Sequence, residues 1–129
     1  MKSEFWNKII ESTGEENGKK LPFFSLAPME AVTDVVFRHV VSKAARPDIF
    51  YTEFTNSSSF ASPKGIHSTR GRLTFTADEQ PIIAQIWGSQ PDDIKFMCEK
   101  LPELGYQAID INMGCPDKAV IKSGGGSDL

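Results

Sequence analysis

The apolar positions of this chain change period along its length, and the changes mark its elements. Phe5, Trp6, Ile9 and Ile10 recur at helical spacing and predict a short amphipathic helix over Glu4 to Ser12. Thr13 to Lys20 is polar and reads as a linker. Leu21 to Ala27 is short and apolar, which suits a first buried strand. Thr33 or Asp34 caps a helix in which Val36, Phe37, Val40, Val41 and Ala44 form the apolar face, and Pro47 closes it. Ile49 to Phe54 is the second strand. Thr55 to Arg72 is a Ser- and Gly-rich loop, and Leu73 to Thr76 adds a short strand.

Pro81 to Trp87 is a buried strand broken by one polar residue, Gln85. Ser89, Pro91, Asp92 and Asp93 open a helix, with acidic groups at the positive end of its dipole. Ile94, Met97, Cys98 and Leu101 make its inner face, Pro102 ends it, and Gly105 suits its terminus. The final strand begins at Ala108. There Ile109 and Ile111 face one way, while Asp110 and Asn112 face the other.

Strand, helix, strand, loop, strand, helix, strand is the order of a parallel sheet with right-handed crossovers. Ser127-Asp128-Leu129 follows three glycines and looks like the start of a further helix. A sheet with one bare edge and a helix just beginning reads as a partial (β/α)8 barrel, about its first four units. On this division residues 1–20 are an N-terminal helical extension and linker, and residues 21–129 are the barrel half. The bare edge could pair with a second copy in a homo-dimer.

Composition narrows the function. At 129 residues, 40% hydrophobic and 24% charged, the chain is an ordinary globular one. Its net charge of −3 gives no global basic field for nucleic acid. No window reaches the roughly 18 apolar residues a membrane span needs, and Met1 to Glu4 is no secretory start. Cys98 and Cys115 stand in different settings and indicate neither a disulfide framework nor a metal cluster, which fits a reducing cytoplasm.

The polar face of the last strand is the first chemical signal. It runs into Gly114-Cys115-Pro116, a turn that lifts a thiol off the strand end. This is either an active-site rim or an ordinary turn with a small buried cysteine. Gln85 must satisfy its amide against a ligand edge or a neighbouring backbone. Lys64, His67, Arg70 and Arg72 lie either on a solvated loop or against a phosphate backbone. Met29, Glu53, Gln85, Asn112 and Cys115 fall at or just beyond the C-terminal ends of successive strands, the rim where such sheets bind ligands.

LAPMEAVTDVVFR (Leu26 to Arg38), YTEF (Tyr51 to Phe54), AQIWG (Ala84 to Gly88) and IDINMGCPDKAVIKSGGG (Ile109 to Gly126) together resemble the tRNA-dihydrouridine synthase family. The resemblance covers Pro22 to Leu129. It implies a TIM-barrel domain holding FMN, in which NADPH reduces the flavin and the flavin then saturates the C5=C6 bond of a uridine in tRNA. It places Ala27, Pro28 and Met29 beside the flavin ring and Gln85 on its polar edge. It gives Asn112 and Glu53 to the substrate side, Arg70 and Arg72 to the RNA, and Cys115 the role of catalytic acid; it implies no metal. A thiol with an ordinary pKa near 8.5 is protonated at neutral pH, as a proton donor must be. The family's later phosphate-binding strands and its helical RNA-binding domain have no counterpart within these residues, so weak or no FMN binding is expected of this polypeptide alone. The alternatives are another FMN barrel, such as a dihydroorotate dehydrogenase or an ene-reductase, and a half-barrel that binds RNA or itself.

Overall fold

The computed structural model describes residues 3–129, apart from the Ile66 side chain. Helix α1 (Glu4–Ser12) leads into an antiparallel hairpin of β1 (Glu15–Glu16) and β2 (Lys19–Lys20). Asn17 and Gly18 make its turn with φ of 53° and 73°, the left-handed pair that a two-residue hairpin loop needs. The stretch expected to be a linker is therefore folded.

The main sheet is parallel. Strands β3 (Phe50–Tyr51) and β4 (Thr55–Asn56) both pair with one side of β5 (Ile82–Trp87), and β6 (Ala108–Ile111) pairs with the other. Ser25 adds a single parallel bridge to Ile49. Spatial order thus follows chain order, as the alternation of elements implies. The helices of this layer are α2 (Val35–Ala45), α3 (Ser57–Ala61), α4 (Gly65–Thr69), α5 (Pro91–Lys100) and α6 (Lys118–Lys122). No helix among the described residues is long and apolar enough to cross a membrane.

Alternation along β5 divides the interior. Ile82, Ala84 and Ile86 join Phe50, Met97, Leu101 and Tyr106 in the core between sheet and helices. Ile83 faces the opposite way and packs with Ile49 and with Phe5 and Ile9 of α1. Burying each of those side chains is worth about 1.5–3 kcal/mol, enough to hold α1 on the sheet. The helix covers the N-terminal half of this inner face and leaves the C-terminal half, with Gln85 and Asp110, open.

One buried ion pair ties the layers together. Arg38 and Glu79 are both fully buried, with Arg38 Nε 2.5 Å from Glu79 Oε2. Arg38 also donates to the carbonyls of Thr33 at 2.6 Å and Thr74 at 2.7 Å. Glu79 in turn accepts from Thr76 N and Thr76 Oγ1 at 3.0 and 2.8 Å. Every charge is matched by a hydrogen bond, the condition under which a buried pair persists.

Several expectations need correction. Leu21 to Ala27 is not a buried strand: apart from the Ser25 bridge it is irregular, and Leu21, Phe23 and Phe24 are exposed, since nothing among the described residues covers their outer side. In α2 Val41 packs against the core as expected, but Val36 is 66% and Val40 60% exposed, and Arg38 takes the inner position because its guanidinium meets Glu79. Asp34, not Thr33, caps that helix, accepting from Phe37 N at 2.8 Å. Thr55 to Arg72 is mostly helical, with Asn56 capping α3 by accepting from Ser59 N at 2.7 Å. Leu73 to Thr76 forms no strand, and Gly126–Asp128 is a 3-10 turn. The Ile49 to Phe54 strand is interrupted. Thr52, Glu53 and Phe54 stand opposite only Ala84 and Gln85, an extra residue that bulges the strand. Thr52 fills the gap, its N–H donating to Ile83 O at 3.0 Å and its Oγ1 accepting from Gln85 N at 3.1 Å.

Candidate functional site

The open end of the inner face is a cleft of about 480 Å³ at the C-terminal rim of β5 and β6, lined by Pro28, Phe54, Gln85, Asp110, Asn112 and Cys115 among others. Two of its side chains are set by strand register. Gln85 and Asp110 are direct partners across β5 and β6, so both project from the same face. Gln85 Nε2 donates to Asp110 Oδ2 at 2.6 Å. Asn112 continues the ladder by donating its backbone N–H to Ile86 O at 2.8 Å, and its Nδ2 donates to Gln85 Oε1 at 3.3 Å.

Asn112 also builds the cysteine turn. Its Oδ1 accepts from Gly114 N at 3.2 Å and from Cys115 N at 2.9 Å, an Asx turn that fixes the loop against the strand it leaves. Behind Cys115 runs the glycine stretch. Ser127 N donates to Cys115 O at 3.1 Å. A Cβ on Gly126, which sits at φ 62°, would meet Cys115 O at 2.5 Å. Only a glycine admits this approach. Asp117 then caps α6, accepting from Ala119 N at 2.8 Å.

The first loop is braced from below. Glu53, turned inward at the bulge and buried, accepts from Ala31 N at 2.7 Å, and Ala31 holds φ 57°. Arg72 pairs with Glu30 and stands 3.8 Å from Glu53 Oε1. Hydrogen bonding to Glu30 raises the Arg72 pKa, with the charge of Glu53 adding to it. Burial, then the charge of Asp110, pushes the Tyr51 hydroxyl up beneath the cleft. Among the described residues no group of acidic, His and Cys side chains is placed to hold a metal.

Of the residues singled out from sequence, Pro28, Gln85, Asn112 and Cys115 share the cleft. Glu53 and Arg72 lie beside it and are engaged in bracing the Glu30-Ala31 turn. Ala27 and Met29 flank Pro28 without lining the cleft, and the Met29 backbone is tied to Thr33 Oγ1 at 2.9 Å. Arg70 stands apart, on a groove with Phe60, Phe75, Phe96 and Lys100. Sequence reading left out Glu30 and Phe54 as site residues and took Asp110 only as part of the polar face of its strand, with no role of its own. The alternating strand that carries Asp110 was the signal for it.

Residues 25–129 match the family described as Dihydrouridine synthase (Dus). The chain is 54% identical over 129 residues to a probable tRNA-dihydrouridine synthase of Staphylococcus aureus (strain COL). It is 62% identical over the same length to probable tRNA-dihydrouridine synthase 2 of Bacillus subtilis (strain 168). Each alignment takes in 100% of this chain, but the chain spans only 36% and 37% of those relatives.

Proposed function

The chain belongs to the dihydrouridine synthase family, and we propose that it carries the catalytic rim of a tRNA-dihydrouridine synthase, which uses FMN and NADPH to reduce the C5=C6 bond of a uridine in tRNA. On this reading residues 21–129 supply about the first four β/α units of a TIM barrel, and α1 plugs its N-terminal end. A tRNA substrate implies work in the cytoplasm.

The observation that carries the reading is the convergence of Gln85, Asn112 and Cys115 on one cleft. Hydrogen-bond bookkeeping supports a flavin ring there. Gln85 has one N–H and one Oε1 lone pair beyond those used by Asp110 and Asn112. Neighbouring donors and acceptors of this kind suit the alternating C=O and N–H groups of a flavin's imide edge. Asp110 makes the lining acidic, the Glu30 charge being met by Arg72, so the cleft takes the neutral ring and not its phosphate. Pro28 and Phe54 offer apolar surface to the ring.

The flavin, when bound, supplies the hydride. What the chain's own residues contribute is position and a proton. Asn112 fixes Gly114 and Cys115 through their backbone N–H groups and keeps an N–H to orient the uracil. Cys115 presents a thiol as general acid toward uracil C5. Glu53 and Arg72 hold the Glu30-Ala31 turn in place. The uridine must leave its stack to enter, at a cost of a few kcal/mol. Arg70, outside the cleft and beside Lys100, is available to phosphates of the surrounding RNA.

The test is to incubate the intact protein with FMN, NADPH and tRNA lacking dihydrouridine. The expected result is a uridine that gains a pair of hydrogens by mass and loses its ultraviolet absorbance. Unchanged tRNA, with dihydroorotate or an enone turned over instead, would assign the cleft to a different flavin chemistry.

A further inference from the structure

We propose that Asp110 is a positioning residue that locks the orientation of the Gln85 amide in the cleft network, and through it steadies Asn112 and the Cys115 loop. A side-chain amide can sit in either of two orientations of nearly identical shape, with oxygen and nitrogen exchanged. Gln85 and Asn112 are two such amides in series: the backbone N–H groups of Gly114 and Cys115 call for the oxygen of Asn112, and the Gln85 amide must then turn its own oxygen to Asn112 Nδ2. Asp110 is the one side chain of this network that, as a carboxylate, accepts without donating. Its Oδ2 takes the Gln85 Nε2–H at 2.6 Å. Gln85 Oε1 is thereby turned to Asn112, where it accepts from Nδ2 at 3.3 Å. Asn112 Oδ1 is left facing the N–H groups of Gly114 and Cys115 at 3.2 and 2.9 Å. Reversing either amide would set donor against donor at one of these contacts. The direct pairing of Gln85 with Asp110 in register keeps the carboxylate within reach.

The orientation rests on geometry alone; only its consequence, a fixed donor and acceptor pattern toward the flavin edge and a fixed thiol, rests on the function proposed above. Asp110→Asn removes the acceptor-only end and lets the Gln85 amide reverse, which turns its Nε2 on Asn112 Nδ2 and weakens the hold of Asn112 on the cysteine turn. The double variant Asp110→Asn/Gln85→Glu moves the carboxylate one position along. The new carboxylate on β5 would then accept from the new amide on β6 at one side and from Asn112 at the other. An acceptor for Asn112 Nδ2 would return. A side chain needed only for packing would not be rescued in this way.

The experiment is backbone amide hydrogen exchange of the intact protein without flavin. We expect Asp110→Asn to speed exchange at Gly114 and Cys115 by about fivefold to tenfold, the worth of one hydrogen bond, and the double variant to return it to the wild-type rate. Unchanged exchange at those two amides in Asp110→Asn would overturn the proposal. So would equal acceleration in both variants, or loss of protection spread over β5 and β6 in both, since the swap would then have restored nothing. The exchange pattern is measured without flavin, so the role of Asp110 stands or falls apart from the flavin reading, which the tRNA assay tests.

Discussion

Glu53 Oε1 accepts a 2.7 Å hydrogen bond from the backbone N–H of Ala31, a residue held at φ 57° with no glycine to ease it. Such a conformation costs an L-residue about 1–2 kcal/mol, and a buried carboxylate is what offsets it here. Ala31→Gly should be neutral or stabilise by up to about 1 kcal/mol in denaturant unfolding. Glu53→Ala should destabilise by about 1–3 kcal/mol, because the Ala31 N–H loses its partner.

Arg38 and Glu79 make a second, separable prediction. Removing one partner leaves a buried charge, so Arg38→Ala should cost about 3–5 kcal/mol. Arg38→Met/Glu79→Leu should recover most of that loss, since neither charge then remains. Urea midpoints of the three proteins decide the matter: a double variant as unstable as the single one would mean that the pair also specifies the fold.

Stability at alkaline pH should depend on Tyr106. Its hydroxyl donates to Leu73 O at 2.9 Å inside the core. Burial pushes its pKa far above the usual 10.0; Arg38 pulls it back, and Glu79 adds to the rise. The folded state therefore holds this proton more tightly than the unfolded chain. Its contribution is fully present below the ordinary tyrosine pKa and is lost as pH rises beyond it. Tyr51 and Cys98 are raised in the same direction by burial and add to the slope. Tyr106→Phe should flatten the alkaline decline without abolishing it, while costing about 1 kcal/mol at neutral pH. Unfolding midpoints followed into the alkaline range measure both effects.

Much of this architecture is legible in the sequence where local pattern and tertiary role agree. β5 is a run of Ile and Ala with Gln85 inside it, and the structure gives both the burial and the polar partner that such a run demands. α5 keeps its inner face of Ile94, Met97 and Leu101, and Gly105 ends the turn after it at φ 94°. The misreadings arise where long-range contacts override periodicity. Val36 and Val40 of α2 point outward because an arginine, polar by any pattern, is drawn inward by a glutamate distant in sequence. The helices within Thr55 to Arg72 depend on Asn56 as a cap and on packing against α5, which composition does not reveal. Arg72 reads as a free basic side chain until Glu30 and Glu53 are seen around it.

The glycine behind the cysteine should prove as specific as the cysteine itself. Gly126→Ala would place a methyl group 2.5 Å from Cys115 O and 3.2 Å from Cys115 Cβ, at a φ that alanine also resists. The expected outcome is a displaced loop, seen as faster alkylation of Cys115 by iodoacetamide while Cys98, half-buried on α5, reacts at its former rate. Gly71→Ala, where a Cβ meets open space, is the control and should change neither rate.

The most direct measurement takes the two half-reactions of the intact enzyme apart in Cys115→Ala. On the proposed function, reduction of the bound flavin by NADPH should proceed nearly as in the wild type while reduction of the tRNA uridine collapses, because that function makes Cys115 the proton donor alone. Equal loss of both half-reactions, or a uridine reduced at the normal rate, would contradict the assignment of Cys115 as the acid.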